Sequence, residues 1–105
     1  VTGKPAVKSA KVSRQGTKRK VTVKFTVPKS CDGTDWVLAK KVSQSEDGSY
    51  TYVSGYAYTK KNQTKTTVIF KNVKPGVYYL TGRAYVKGYA KKYTKWSEVK
   101  KVVVK

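Results

Sequence analysis

The sequence predicts an all-β protein built as an antiparallel sandwich of short strands. Pro75 and Gly76 form a turn signal, and the alternating run that follows begins at Tyr78. Proline fixes φ at the first turn position, and glycine supplies the positive φ at the next. A tyrosine in that place is typical of a tyrosine corner, in which the ring packs in the core and the hydroxyl bonds to the preceding loop. Valine, threonine and tyrosine favour strands, and no segment keeps the apolar period of an amphipathic helix.

Four segments in the first part of the chain are predicted to be strands. They cover residues 7–12, 21–27, 36–40 with a continuation to 42, and 50–58. The second alternates most regularly, and Pro28 ends it because proline cannot continue a central ladder. The fourth carries tyrosines at one parity, which would line one face of a regular strand. Gly55 interrupts this segment and can instead mark a bulge.

Three further strands are predicted at residues 66–71, 78–85 and 93–104. In the last of these, the valines at 99 and 102–104 do not keep one parity, which indicates a bulge or an edge contact. Seven short strands joined by turns at this spacing predict one immunoglobulin-like domain that covers residues 1–105.

The composition is strongly basic. Lysine and arginine number 24 against five acidic residues, which gives a formal charge of +19. Such a field attracts polyanions, among them acidic glycans, wall phosphate polymers and nucleic acid. The lysines are spread along the whole chain, so they equally fit exposed strand faces that resist edge-to-edge pairing. Without a nucleic-acid-binding motif, we expect nucleic acid to bind only non-specifically.

The chemistry-bearing residues are few. Histidine is absent, which excludes histidine-based acid–base catalysis and histidine metal sites. Cys31 is the only cysteine, so an intrachain disulfide is impossible. We therefore expect no enzymatic activity, no cofactor and no metal site. No apolar run approaches the roughly 18 residues of a membrane span, so we expect no transmembrane segment.

An aromatic and basic sheet face is the best signal for binding. If Tyr78 points into the core, the alternate residues of the same strand point outward. The fourth strand adds further tyrosines beside them. The candidate binding residues are Tyr79, Arg83, Tyr85, Tyr50 and Tyr52. Such rings can stack on sugars or bases beside cations that pair with anions. Alternatively, the rings only cover the sheet and receive the methylene stems of lysines.

Three motifs carry a family resemblance. They are Val-Lys-Pro-Gly at residues 73–76 followed by Tyr78, Arg-Ala-Tyr at 83–85, and Lys-Trp-Ser-Glu-Val at 95–99. They resemble the E–F corner, F strand and last strand of fibronectin type III domains. The likeness is greatest to the lysine-rich repeats of surface and secreted proteins of Gram-positive anaerobes. Two residues depart from the pattern. Phe25 stands where many members have tryptophan, and Gly82 replaces a larger inward residue, so a neighbour such as Trp36 must fill that space.

The resemblance implies a seven-stranded sandwich, in which the first, second and fifth strands face the other four. It implies structural roles for Tyr78, Trp36, Phe25 and Trp96. It also implies a non-catalytic module of an extracellular or cell-surface bacterial protein, acting as a spacer or adhesion unit beside neighbouring domains. The alternative is a ligand-binding module for a glycan or an anionic polymer, acting through the aromatic and basic face.

Overall fold

The computed structural model describes residues 3–48 and 51–105. In that part the chain forms eight β-strands and no helix. The strands are β1 (Ala6–Gln15), β2 (Lys18–Thr26), β3 (Gly33–Gln44), β4 (Thr51–Gln63), β5 (Thr67–Phe70), β6 (Gly76–Val86), β7 (Lys92–Tyr93) and β8 (Lys100–Val104). The predicted all-β class is confirmed.

The strands form two antiparallel sheets. One has the order β1-β2-β5, and the other has the order β4-β3-β6-β7, with β8 also paired to β6. The inward apolar residues of both sheets enclose one core, as in a β-sandwich. The core residues are Val21, Val23, Phe25, Trp36, Leu38, Val68, Phe70, Val73, Tyr78, Leu80, Val102 and Val104.

The prediction of one continuous last strand is wrong, because the chain between residues 94 and 99 leaves the ladder. Residues 94, 97 and 100 lie opposite residues 84, 82 and 80 of β6. A regular antiparallel strand advances two residues for every two of its partner, whereas this segment advances three. Two extra residues are therefore inserted between Thr94 and Lys100, whereas the valines of β8 alternate regularly, with Val102 and Val104 buried and Val103 exposed. The insertion splits the seventh predicted strand into β7 and β8.

Several strands are longer than predicted. β1 continues to Gln15, where it pairs with Lys18 across a tight turn, and Gly16 supplies a φ of 63° there. β3 runs on to Gln44 and β4 to Gln63. The added residues 13–14, 43–44 and 59–62 are polar and exposed, so they are held by backbone pairing and carry no burial pattern that a sequence could reveal.

Trp36 and Gly82 pack against each other at the centre of the core. The two residues are opposite each other in the β3–β6 ladder. A Cβ atom built on Gly82 would overlap the indole ring of Trp36, so only glycine leaves room for that ring. On its other side the indole contacts Phe25, with 4.6 Å between ring centroids. The indole N–H donates to the Thr34 hydroxyl at 3.0 Å. Trp36 therefore occupies the space that Gly82 leaves.

Two tyrosines hold the turn before β6. The Tyr78 hydroxyl donates to the Lys74 carbonyl at 2.7 Å, and the Lys74 N–H donates to the Tyr58 hydroxyl at 2.9 Å. The two rings meet edge to face, with centroids 5.7 Å apart. Burial raises the pKa of Tyr78, and the neighbouring Tyr58 phenol raises the pKa further. The tyrosine-corner geometry thus ties both backbone polar groups of Lys74 to side chains of the five-stranded sheet.

We expect Gly82→Ala to lower the free energy of unfolding by about 1–3 kcal/mol, because the added methyl group overlaps the indole of Trp36. Gly88→Ala is the matched control, since a Cβ there meets only the Ala90 carbonyl oxygen at 3.9 Å. Urea denaturation followed by circular dichroism measures both. Equal midpoints for the two variants would contradict the packing described.

We expect Tyr78→Phe to destabilise the protein by about 1 kcal/mol through the lost hydrogen bond to Lys74. Tyr79→Phe should have little effect. The native state binds the Tyr78 proton more tightly than the unfolded state, so this stabilisation is complete below about pH 10 and declines as the pH rises from there to the raised pKa. Urea denaturation across alkaline pH should show a smaller decline for Tyr78→Phe than for wild type. An identical decline would contradict the assignment.

Candidate functional site

The predicted binding residues that the structure describes lie on two strands that flank β3. Tyr79 of β6 and Tyr56 of β4 both lie opposite Ala39, one on each side. They share the parity that points away from the core, and Lys101 of β8 continues the row beyond Tyr79. The surface to consider is therefore the outer face of the five-stranded sheet.

Arg83 lies on this outer face, but its guanidinium is engaged within the protein. The guanidinium carbon is 3.7 Å from the ring centroid of Tyr93 and 4.8 Å from that of Trp96. Its Nε is 3.9 Å from the Asp35 carboxylate. That carboxylate is buried and accepts a hydrogen bond from the Asn62 N–H at 2.9 Å. These contacts orient Arg83 toward its own sheet, and its side chain is only about a third exposed.

Tyr85 is fully buried, so the prediction that its ring faces solvent is wrong. The parity is as predicted, but the chain beyond β6 folds back over the ring. The Lys91 ammonium is 4.4 Å from the ring centroid, and the Tyr93 ring meets it edge to face at 6.3 Å. On β3 the opposite residue is Gly33, where a Cβ would overlap the phenol. Tyr85 is therefore part of the packing that closes this end of the sheet.

The tyrosines of β4 divide between the two faces. Tyr58 lies opposite Leu38, whereas Tyr56 lies opposite Ala39, so Ala57 is an extra residue that reverses the parity. Tyr58 packs against the core, and Tyr56 points outward. Tyr52 points outward as well, opposite Ser43. Tyr50, which was predicted beside it, lies outside the described residues.

The outward tyrosines border a groove of about 190 Å³. Its lining residues are Thr51, Tyr52, Val53, Tyr56, Thr81, Trp96 and Val99. Trp96 was predicted to be structural, and it is half-buried on the outer face. It belongs to the segment between β7 and β8, and the extra residues there bring its ring over the sheet. Tyr56 and Trp96 were absent from the predicted binding set, and the parity of the last valines bears on neither of them.

Two hydroxyl groups hold that segment against β6. The Gly82 N–H donates to the Ser97 hydroxyl at 3.0 Å, and the Ser97 N–H donates to the Gly82 carbonyl at 2.6 Å. In the same way, the Ala84 N–H donates to the Thr94 hydroxyl at 3.0 Å, and the Thr94 N–H donates to the Ala84 carbonyl at 2.9 Å. In each pair a side-chain oxygen stands where a regular strand would present a carbonyl. The Thr81 hydroxyl also donates to the Ser97 carbonyl at 2.8 Å, which fixes the floor of the groove to its wall.

The lysines are densest elsewhere. The outer face of the three-stranded sheet carries Lys11, Lys18, Lys20 and Lys24 among serines and threonines, and we call it the lysine face. Strands β1, β2 and β5 contain no acidic residue. The outer face of the other sheet also carries Lys41, Arg83, Lys91 and Lys101, but none of them lines the groove. Both sheets therefore carry cations on their outer faces, and the groove itself is free of them.

The sequence matches no protein-family model, and no curated protein is significantly similar to it. Across residues 3–48 and 51–105, no helix is long and apolar enough to cross a membrane. The same residues contain no group of three or more Asp, Glu, Cys or His side chains that could hold a metal ion.

Proposed function

We propose that the chain is a fibronectin type III-like, non-catalytic module of an extracellular or cell-surface protein from a Gram-positive bacterium. In that protein it acts as a spacer or adhesion unit between neighbouring domains. The sheet grouping supports the family, since β1, β2 and β5 stand apart from the strands paired with β3 and β6. The tyrosine corner at Tyr78 supports it as well.

The observation that supports the spacer role is that outward side chains of β6 pack within the module itself. Tyr85 is buried, and the Arg83 guanidinium contacts Tyr93 and Trp96. Two of the five residues predicted to bind a ligand therefore stabilise the module itself. Side chains that close the end of a sheet give a rigid unit, which is what a spacer requires.

A second candidate function is binding of an anionic polymer through the lysine face. Its support is the absence of acidic residues from β1, β2 and β5, which leaves the positive field of that sheet uncompensated. Lysine ammonium groups on a flat sheet are suited to a flexible chain of phosphates or carboxylates.

A salt titration with matched lysine variants separates these functions. The lysine-face variant is Lys20→Gln with Lys24→Gln, and the control is Lys60→Gln with Lys61→Gln on β4, which removes the same charge. Binding to poly(glycerol phosphate), heparin and DNA is measured from low to physiological salt. The spacer function predicts that affinity for these polymers falls steeply as the salt concentration rises. It also predicts that both double variants bind more weakly than wild type by the same factor, because only counterion release drives association.

Polymer binding that persists at about 0.15 M salt, where charges act over roughly 8 Å, would contradict the spacer function. If the lysine-face variant alone abolished that binding, binding of the polymer through that face would replace the spacer function. Circular dichroism of both double variants checks that they remain folded.

A further inference from the structure

We propose that the groove between β4 and the segment 94–99 binds one uncharged pyranose ring of a polysaccharide. The inference rests on the adhesion role proposed above and names the ligand class and the residues. The ring would stack on Tyr56 and Trp96. Its failure would leave the spacer role unaffected, because that role makes no use of the groove.

The walls of the groove are aromatic and accessible. Tyr52 is 47% exposed and Tyr56 is 55% exposed, and both are large side chains on the outer face of the edge strand β4. Trp96 stands across from them and is half-buried. The C–H groups on one face of a pyranose are slightly positive and pack well on the negative face of an aromatic ring. The phenol hydroxyl of Tyr56 at the rim can exchange hydrogen bonds with sugar hydroxyls.

The groove is uncharged in a chain that is otherwise dense in charge. Of 24 lysine and arginine residues, none lines it, and no acidic residue does. A polyanion would form no ion pair with the groove lining and would bind the lysine face instead. A neutral ligand that offers apolar C–H faces and polar edges complements this lining. The charge pattern therefore favours an uncharged sugar in the groove over the acidic polymers that are expected to bind the chain non-specifically.

The dimensions fit one ring of a longer chain. A volume of about 190 Å³ is below the roughly 300–1,000 Å³ of pockets that enclose a drug-sized ligand. A second recess of about 620 Å³ shares Thr51, Trp96 and Val99 with the groove and is also lined by Lys4, Lys95 and Glu98. The next sugar residues would find hydrogen-bonding groups there. The continuity of the two recesses favours an oligosaccharide over a free monosaccharide.

The groove is held ready for a ligand. Trp96 contacts the Arg83 guanidinium, and the hydrogen bonds of Ser97 to Gly82 fix the backbone beside it. Bulges are often found where a side chain must be aimed at a site, and the extra residues here aim Trp96. A ring that is already immobilised loses little entropy on binding, which raises affinity for a weakly interacting sugar. Arg83 is thus a positioning residue for Trp96.

The test is a fluorescence titration of the intact chain with neutral hexasaccharides: cellohexaose, xylohexaose, mannohexaose and N-acetylchitohexaose. Trp36 is fully buried, so a change in emission reports on Trp96. Trp96→Phe should abolish the signal, which verifies its source. We expect at least one neutral hexasaccharide to bind saturably with a Kd of about 1 mM or tighter. The affinity should be unchanged between low and physiological salt, because the hexasaccharides carry no charge.

Tyr56→Ala should weaken that binding by about tenfold or more, since it removes a stacking surface. Tyr89→Ala is the matched control, because Tyr89 is fully exposed and does not line the groove. Urea denaturation establishes that both variants are folded. The proposal is overturned if none of the four hexasaccharides binds, if only acidic hexagalacturonate binds, or if Tyr89→Ala weakens binding as much as Tyr56→Ala. Isothermal titration calorimetry gives a second readout for Tyr56→Ala that does not depend on tryptophan.

Discussion

Burial of β6 on both faces is the constraint on which the rest of this structure depends. Its inward residues Tyr78 and Leu80 belong to the core, as in any sandwich. Its outward residues Thr81 and Tyr85 are buried as well. A sheet of an antiparallel sandwich commonly leaves its outer face to water, so a strand buried on both sides needs a cover. Here the chain that follows β6 supplies that cover.

The cover determines the shape of the outer face. To cross β6, the chain from Thr94 to Val99 takes up two extra residues and leaves the regular ladder. The N–H groups that this leaves on Gly82 and Ala84 would be buried without partners, which costs about 1–3 kcal/mol for each group. The hydroxyls of Ser97 and Thr94 accept them instead. A polar sequence between β7 and β8 is therefore a requirement of the fold.

The path of residues 94–99 also determines which side chains stabilise the fold and which are available to a ligand. Arg83 and Tyr85 are committed to the packing beneath the segment, whereas Trp96 is carried outward to face Tyr52 and Tyr56. The lysine face lies on the opposite sheet. A charged polymer and an uncharged sugar would consequently meet different surfaces, and salt dependence distinguishes the two.

Local chemistry was sufficient to predict part of this account. Alternation located β2, the Pro75–Gly76 turn indicated the position of Tyr78, and the missing side chain of Gly82 pointed to Trp36. Parity states to which side a residue points but not what covers it, so the burial of Tyr85 could not be predicted. The parity change at Ala57 and the two extra residues before β8 depend on the partner strand, which is distant in sequence.

The central claim is that Ser97 and Thr94 complete the hydrogen bonding of β6, and native-state hydrogen exchange followed by NMR tests it most directly. The Gly82 and Ala84 amides should exchange as slowly as their neighbour Leu80, which faces the regular β8 pairing. Ser97→Ala should accelerate exchange at Gly82 and leave Ala84 protected. The result that would contradict this claim is fast exchange of both amides in wild type, at the rate of the exposed loop at 87–91, while Leu80 stays protected. The hydroxyls of Ser97 and Thr94 would then not protect Gly82 and Ala84.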